Sequence, residues 1–436
     1  MNSSVDTPDP SDWSLRSLGD VAEINPESLS AATPADSLFT YLDLSSVDNG
    51  RIDRNMLRTE VFRTAPSRAR RAVRPGDVLF GTVRPALRSH GAVDWQPDLP
   101  LVASTGFCVI RARPSQSTPR FLFHTILSDG IAGAARQREV GSNYPAVNEC
   151  DVRRFPVLCP PVVEQRRIAA ILDTLDDAIR KTEDIVVRLK LVKLGLAHDL
   201  LTRGIGENGE LRPAQEEAHD LYTNTRLGII PKAWHVVRMS HAVPKAEYGI
   251  SSPLGESGDI AILRMNNLRG GELVLADLKY SGAREARALL LRRGDVLFNR
   301  TNSLDHVGRT AIWRDQLEMA SFASYLVRLL TNPAVLTDAY LHRWLNLPAV
   351  QSRIRRFATP GVHQVNINPT NLRQLDLALP KSTQEQDRIT HVLDVWDGRV
   401  GAEEALLRKL RSIKCALADD LLAGRISVAV PGVAET

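Results

Sequence analysis

Residues Glu164 to Leu201 read EQRRIAAILDTLDDAIRKTEDIVVRLKLVKLGLAHDLL, and residues Glu385 to Leu422 read EQDRITHVLDVWDGRVGAEEALLRKLRSIKCALADDLL. Aligned without a gap at an offset of 221, they share 15 of 38 positions, among them Glu164/Glu385, Gln165/Gln386, Leu172/Leu393, Asp173/Asp394, Lys193/Lys414 and Asp199/Asp420. An offset of about half the 436-residue chain means two copies of one large unit, not a solenoid of short repeats. Apolar residues recur at four-then-three spacing: Ile168, Leu172, Leu175, Ile179, Val186, Leu189, Leu196 and Leu200 in the first copy, with Ile389, Leu393, Trp396, Val400, Leu407, Leu410, Leu417 and Leu421 in the second. This predicts two helices, each about 57 Å long, with a coiled-coil seam of about five heptads.

Both copies interrupt the seam at Thr182/Glu403 and at Lys193/Lys414. Antiparallel pairing about a pseudo-twofold axis makes facing residue numbers sum to about 585. Thr182 then faces Glu403, Lys193 faces Val392 and Leu393 near Asp394, and Lys414 faces Ile171 and Leu172 near Asp173. These four polar residues are expected to fix the antiparallel register. The competing reading, two amphipathic helices each packed on its own domain, does not account for the matched interruptions.

The order of features outside the helices repeats as well. Each half opens on a tryptophan, Trp13 or Trp234, and continues through a strand to a hairpin turn, Asn49-Gly50 or Gly270-Gly271. A tight turn entering a buried strand follows, Pro75–Phe80 or Arg293–Phe298, and then a second strand, Phe107–Arg111 or Ser324–Arg328. Short helices are expected near Pro119–Ser128 and Thr337–Leu345, followed by polar loops at 141–148 and 361–368. A last strand, Phe155–Cys159 or Leu375–Leu379, leads through Pro160 or Pro380 into the long helix. The Gly- and charge-rich stretch Gly204–Arg226 reads as a linker. The fold class expected is α+β: two similar domains, each followed by a long helix.

At 43% hydrophobic and 24% charged the composition is globular. No apolar run approaches the roughly 20 residues that cross a bilayer, and MNSSVDTPDPSDW has no secretory pattern, so a cytoplasmic location is expected. Cys108, Cys150, Cys159 and Cys415 form no C-x-x-C pair, and no metal site is expected. The net charge is only +4, but it is clustered. Arg58–Arg88 holds eight arginines against Glu60 and Asp77, and residues 222–379 hold 20 Lys/Arg against 12 Asp/Glu. A GC-rich genome would raise the arginine count generally; the clustering favours a polyanionic partner.

Catalytic signatures are missing. The chain has no G-x-x-x-x-G-K-[ST], no G-x-G-x-x-G after a strand, no H-E-x-x-H and no G-x-S-x-G. It has no Asn/Asp-Pro-Pro-aromatic motif of the amino-methyltransferase kind; Asn368-Pro369-Thr370-Asn371 is not one. Asp77 and Asp295 follow glycine in matched turns and read as turn caps. His306 and His363 lie in polar loops where a ligand contact competes with simple solvation. Two core-forming domains without a catalytic constellation point to recognition. An enzyme with a degenerate motif and a protein–protein scaffold with incidental, non-specific DNA binding are the alternatives.

The pattern E-Q-x-R-I-x-x-x-L-D-x-x-D after a proline, at Glu164 and again at Glu385, resembles the helical regions of specificity (S) subunits of type I restriction–modification enzymes. Gly294–Ser303 (GDVLFNRTNS), the tryptophan near each domain start and the D-L-L near each helix end agree with it. The resemblance covers Trp13 to Ile426. It implies target recognition domains at 1–159 and 227–379, conserved helices at 160–203 and 380–425, and a linker at 204–226. It further implies that each domain reads one half of a bipartite, asymmetric DNA target, and that an antiparallel coiled coil sets the gap between the halves. Adenine methylation would come from two modification subunits carrying S-adenosylmethionine, and restriction subunits using ATP and Mg would be further partners. The chain itself would hold no cofactor and no catalytic residue.

Base reading needs Arg, Asn, Gln and Ser presented from loops, with phosphate-directed charge beside them. The second half offers Arg264, Asn266, Asn267, Arg300, Asn302, Ser303, His363 and Gln364, with Arg353, Arg355 and Arg356 for phosphate. The first half offers Ser45, Ser46, Arg84, Arg88, Ser142, Asn143 and Tyr144, with Arg68, Arg70 and Arg71 for phosphate. After its Gly-Asp turn the first half reads Gly81-Thr-Val-Arg-Pro-Ala-Leu-Arg88 where the second reads Asn299-Arg-Thr-Asn-Ser-Leu304, a divergence that two different half-sites would require.

Overall fold

The computed structural model describes residues 13–362 and 364–428; His363 lies outside the described residues. The chain divides into two compact units. One comprises the residues up to Asp184 with those from Ala405 onward, and the other comprises Ile185–Glu404.

The Gly-Asp-Val-Leu-Phe repeat sits at the heart of each unit. Strand Val78–Gly81 is buried at every position and pairs antiparallel with Phe107–Ala112 and His90–Ala92. Strand Val296–Asn299, likewise fully buried, pairs with Leu326–Leu330 and Thr310–Ile312. A strand covered on both faces has no polar alternation, which is why these segments read as short apolar runs. The preceding turns take positive φ at Gly76 and Gly294. Asp77 caps its turn by accepting from Arg74 N (2.8 Å), and Asp295 accepts from Arg292 N (2.9 Å). A second sheet in each unit contains one parallel pair, Leu38–Leu42 with Leu101–Ser104 or Ile260–Leu263 with Ala320–Phe322. The expected hairpins turn at Asn49-Gly50 (φ 41° and 91°) and Gly270-Gly271 (φ 59° and 85°). Two successive positive-φ residues give the strand twist that a two-residue hairpin requires.

The repeated stretches are the long helices α1 (Val162–Thr202) and α2 (Thr383–Leu422). Each unit contains a part of both. In the first unit, Ile168, Leu172 and Leu421 are buried with Leu18, Phe121 and Phe155. In the second, Leu200, Leu201, Ile389 and Leu393 are buried with Trp234, Tyr340 and Trp344. One face of each helix thus completes the core of an α+β domain, and another face meets the partner helix.

Ion pairs within each unit define the helix direction. Asp176 pairs with Lys414 (2.5 Å) and Glu183 with Arg411 (2.6 Å) in the first unit. In the second, Lys190 pairs with Glu404 (2.6 Å) and Lys193 with Asp397. Rising numbers on one helix meet falling numbers on the other, so the packing is antiparallel. The lysine partners are Asp397 and Asp176, one turn beyond the Asp394 and Asp173 expected from sequence. Asp173 faces its own domain, where it accepts from Arg120 and from His124 Nε2 (2.7 Å), and Asp394 binds Arg343. Buried Thr182 satisfies its hydroxyl on Ala178 O (2.8 Å) within α1, and Glu403 is half-buried on α2.

The Glu-Gln pair opening each repeat clamps helix to domain. Gln165 accepts from Thr118 N (3.0 Å) and donates to Gln116 O (3.0 Å) and Pro160 O (2.9 Å). Gln386 accepts from Thr337 N (2.9 Å) and donates to Val335 O (2.8 Å). Both glutamines are fully buried, so each needs these bonds. Glu164 accepts from Trp13 Nε1 (3.0 Å), Ser427 Oγ (2.7 Å) and Val428 N (3.3 Å). Glu385 accepts from Trp234 Nε1 (2.9 Å), Ile205 N (3.2 Å) and Arg212 (2.5 and 3.0 Å). The tryptophan at each domain start is therefore the donor for the glutamate at its own helix start.

Candidate nucleic-acid interface

In each unit the loop after the central strand is stitched to a small hairpin. In the second unit, Thr301–Asn302 pairs with Val365–Ile367, which pairs in turn with Ala358–Pro360. Ile367 N donates to Arg300 O (2.8 Å), and Thr301 Oγ1 donates to Asn366. In the first unit, Arg84 N donates to Pro145 O (2.7 Å) and Val147 N to Thr82 O (3.0 Å). The fold thereby gathers Arg300, Asn302, Ser303 and Gln364 in one unit, and Arg84, Ser142, Asn143 and Tyr144 in the other. Two loops far apart in sequence share one rigid frame, which suits side chains that must hold register against base edges.

These side chains are oriented. The Arg84 guanidinium lies over exposed Tyr144 (4.4 Å to the ring centre) and donates to Asn143 O (3.2 Å). Arg84 and Arg88 both adopt left-handed backbone conformations, unusual for a residue with a β-carbon. The Arg300 guanidinium lies over exposed Tyr248 (5.3 Å). Ser303 Oγ and His306 Nδ1 are 2.8 Å apart, and Asn302 Oδ1 accepts from Ser303 N (2.8 Å). Tyr248 and Val362, which is 92% exposed, were not anticipated from sequence. The exposed apolar tip at Val362 could have been suspected from its place between Gly361 and His363.

The other predicted residues lie apart from this frame or are already engaged. Asn267 is buried; its amide donates to Val274 O (2.8 Å) and Ala276 O (3.0 Å), and it accepts from Arg264 N (2.8 Å). Ser46 is buried and donates to Asp43 O (2.7 Å). Both hold turns and have no edge left to read a base. Ser45 is tied to Asp43 (2.5 Å), while Arg264 and Asn266 converge on Asp277 (2.8 and 3.2 Å). Arg88 binds Leu127 O (3.3 Å) and Asp129. Among the expected phosphate contacts, Arg70 lies over Phe62, Arg71 reaches Ser28 (3.3 Å), and Arg353 donates to Asp376 O (3.1 Å). Arg68, Arg355 and Arg356 are exposed, and their side chains have no partner among the described residues.

His124, Asp173 and Asp176 converge closely enough to suggest a cation site. Arg120 and Lys414 already neutralise the two carboxylates, so the cluster reads as an ion-pair network. Among the described residues, no helix is long and apolar enough to cross a membrane.

The chain is thus a duplicated α+β protein built on antiparallel helices, each unit carrying Arg- and Asn-bearing loops on a fixed frame. Residues 10–190 match the model of the type I restriction modification DNA specificity domain. The MjaVIII type I restriction enzyme specificity subunit of Methanocaldococcus jannaschii is 22% identical over 296 residues, 66% of each chain. The HindI specificity subunit of Haemophilus influenzae is 25% identical over 191 residues, 43% of this chain and 40% of that one. The chain spans about half the length of the curated relatives it matches. A chain solved in a study of assembly and conformational transition of a type I restriction–modification system is 25% identical. It superposes with a TM-score of 0.59 over 94% of this chain and 97% of its own length. The type I S subunit of M. genitalium, 11% identical, shares the fold with a TM-score of 0.55, over 97% of this chain and 98% of that one. Residues 10–190 thus resemble the DNA specificity domain of type I restriction–modification enzymes, and over about two thirds of its length the chain is similar to a specificity subunit of that class.

Proposed function

We propose that this chain reads a bipartite, asymmetric DNA target with a fixed gap, one half-site per unit, and contributes no catalytic group. The observation that carries this reading is the contrast between a duplicated frame and unlike loops. The strands, Gly-Asp turns and Glu-Gln clamps correspond between units. The side chains on the framed loops do not: Arg84 over Tyr144 in one, Arg300 over Tyr248 with Asn302 and Ser303 in the other. A shared frame carrying different side chains suits two different short sequences. The antiparallel helices would set the gap, with the register fixed by Lys193, Lys414, Thr182 and Glu403. Two modification subunits carrying S-adenosylmethionine would supply adenine methylation, and restriction subunits using ATP and Mg would be further partners.

The test is a genome-wide map of methylated adenine in the source cell, with and without this gene. Loss of methylation at one asymmetric two-part motif with a constant gap is expected. An unchanged map in a cell expressing the partner subunits would refute the reading and favour a scaffold that binds DNA without specificity.

A further inference from the structure

The fold draws together three arginines of the second unit, Arg269, Arg309 and Arg355, none of which has a side-chain partner among the described residues. Arg269 ends the strand Leu268–Arg269, just before the Gly270-Gly271 turn. A β-carbon added at Gly271 would lie 3.5 Å from the Asn346 side chain, and Asn346 Nδ2 donates to Thr310 O (3.3 Å). The hairpin is thus anchored beside residue 309. From the other side, Gln351 Nε2 donates to Gly308 O (2.8 Å), and a β-carbon at Gly308 would lie 3.2 Å from Ile354 Cγ2. Arg309 is therefore held against the end of helix Pro348–Arg355, where Arg355 is the last residue. The Arg309 carbonyl accepts from Asn299 N (2.8 Å), so the cluster adjoins the start of the framed loop 299–306.

Among the described residues, no carboxylate forms an ion pair with any of the three. Glu272, opposite Arg269 in the hairpin register, is engaged by Arg314 (3.1 Å). Partial burial, with repulsion from Arg269 and Arg355, pulls the Arg309 pKa below its ordinary value. Crowding like charges without a counter-ion works against the free fold, and a site maintained at such a disadvantage is a candidate for function. Guanidinium groups match phosphate oxygens in planar, two-pronged geometry.

We propose that Arg269, Arg309 and Arg355 form a clamp for the DNA backbone, seating phosphates beside the loop that carries Arg300, Asn302 and Ser303. The proposal rests on the reading of this chain as a DNA-binding specificity subunit, and it adds Arg269 and Arg309 to the phosphate contacts.

The test uses the full chain with its modification subunits and two duplexes, one bearing the motif found by methylation mapping and one scrambled. Affinity is measured across a salt series for wild type and for Arg269→Gln, Arg309→Gln and Arg355→Gln. Each variant is expected to lower the log–log salt slope by about 0.9 on both duplexes, so its affinity falls about threefold less than wild type's between 50 and 200 mM salt. Thermal unfolding of the free Arg309→Gln chain is expected at or above the wild-type temperature, because repulsion is relieved. An unchanged slope in a folded variant overturns the clamp. So does a loss confined to the motif duplex, which would mark a base reader, or a clear fall in unfolding temperature, which would mark a structural arginine. If wild type shows no salt-dependent binding to either duplex, the DNA-specificity reading itself fails, and the clamp with it.

Discussion

Replacing Glu385 with alanine should destabilise the protein more than the same change at Glu164, although the two glutamates occupy equivalent places in the repeat. Both accept an indole N–H, from Trp234 and Trp13, and a backbone N–H from the segment after the opposing helix. Only Glu385 also holds a cation: Arg212, whose side chain is 11% exposed beside a glutamate side chain at 7%. Removing Glu385 strands a nearly buried guanidinium, a loss of about 3–5 kcal/mol. Removing Glu164 forfeits hydrogen bonds to a charged acceptor without stranding a charge, about 2 kcal/mol. Urea unfolding of the full chain measures the totals. Hydrogen exchange then places the damage, with the Glu385 variant expected to open peptides around Gly204–Arg212 and Trp234. A double variant lacking both Arg212 and Glu385 should be no less stable than Glu385→Ala alone, since no charge is then stranded. Equal losses at the two glutamates, or strict additivity in the double variant, would refute the stranded-charge argument.

Acid sensitivity should begin near neutrality. Burial lowers His90 to about 4 and His342 to about 3. Both are therefore neutral in the fold, whereas the unfolded chain takes up protons below about pH 6.5, so stability falls as pH drops from there toward 4, by about 3 kcal/mol for His90 alone. Urea titrations at several pH values should show a shallower decline for a His90→Asn, His342→Asn double variant. At Gly249 an added β-carbon would sit 2.3 Å from Phe322 O, so Gly249→Ala should lose about 1–3 kcal/mol in the same assay. On α2, a β-carbon at Gly398 or Gly401 meets nothing within 4 Å, and alanine there should stabilise by about 0.5–1 kcal/mol each. If Lys193 and Lys414 fix register, changing both to leucine should shift or broaden spin-label distances between α1 and α2; unchanged distances would remove them from that role.

The long helices were legible because a seam at 3.5-residue spacing, repeated at a constant offset, has few other physical solutions. The buried strands and the hairpins at Asn49-Gly50 and Gly270-Gly271 were legible for the same kind of local reason. What the Glu-Gln pairs bind was not: Trp13 lies 151 residues from Glu164, and Thr118 lies 47 residues from Gln165. The ion-pair register missed by one turn because spacing alone does not say which of two aspartates faces the domain. Asn267 and Ser46 resembled base readers because burial cannot be seen in residue type. Arg269 and Arg309 drew no attention because what sets them apart, a missing counter-ion, exists only after folding.

The segment leaving α1 at Ile205 and the segment leaving α2 at Val428 both dock on a helix-start glutamate, beside the tryptophan that opens the same domain. The two closures, one within each unit, are interchangeable in kind. In one of them the peptide runs on from Gly204 to Trp234; in the other, Gly424 lies against the Trp13 ring. Opening the chain at the exposed Asn208-Gly209 turn and tethering Val428 to Trp13 would exchange the order of the halves while keeping every lock described above. Which half is translated first is thus a property of the gene and not a demand of the fold.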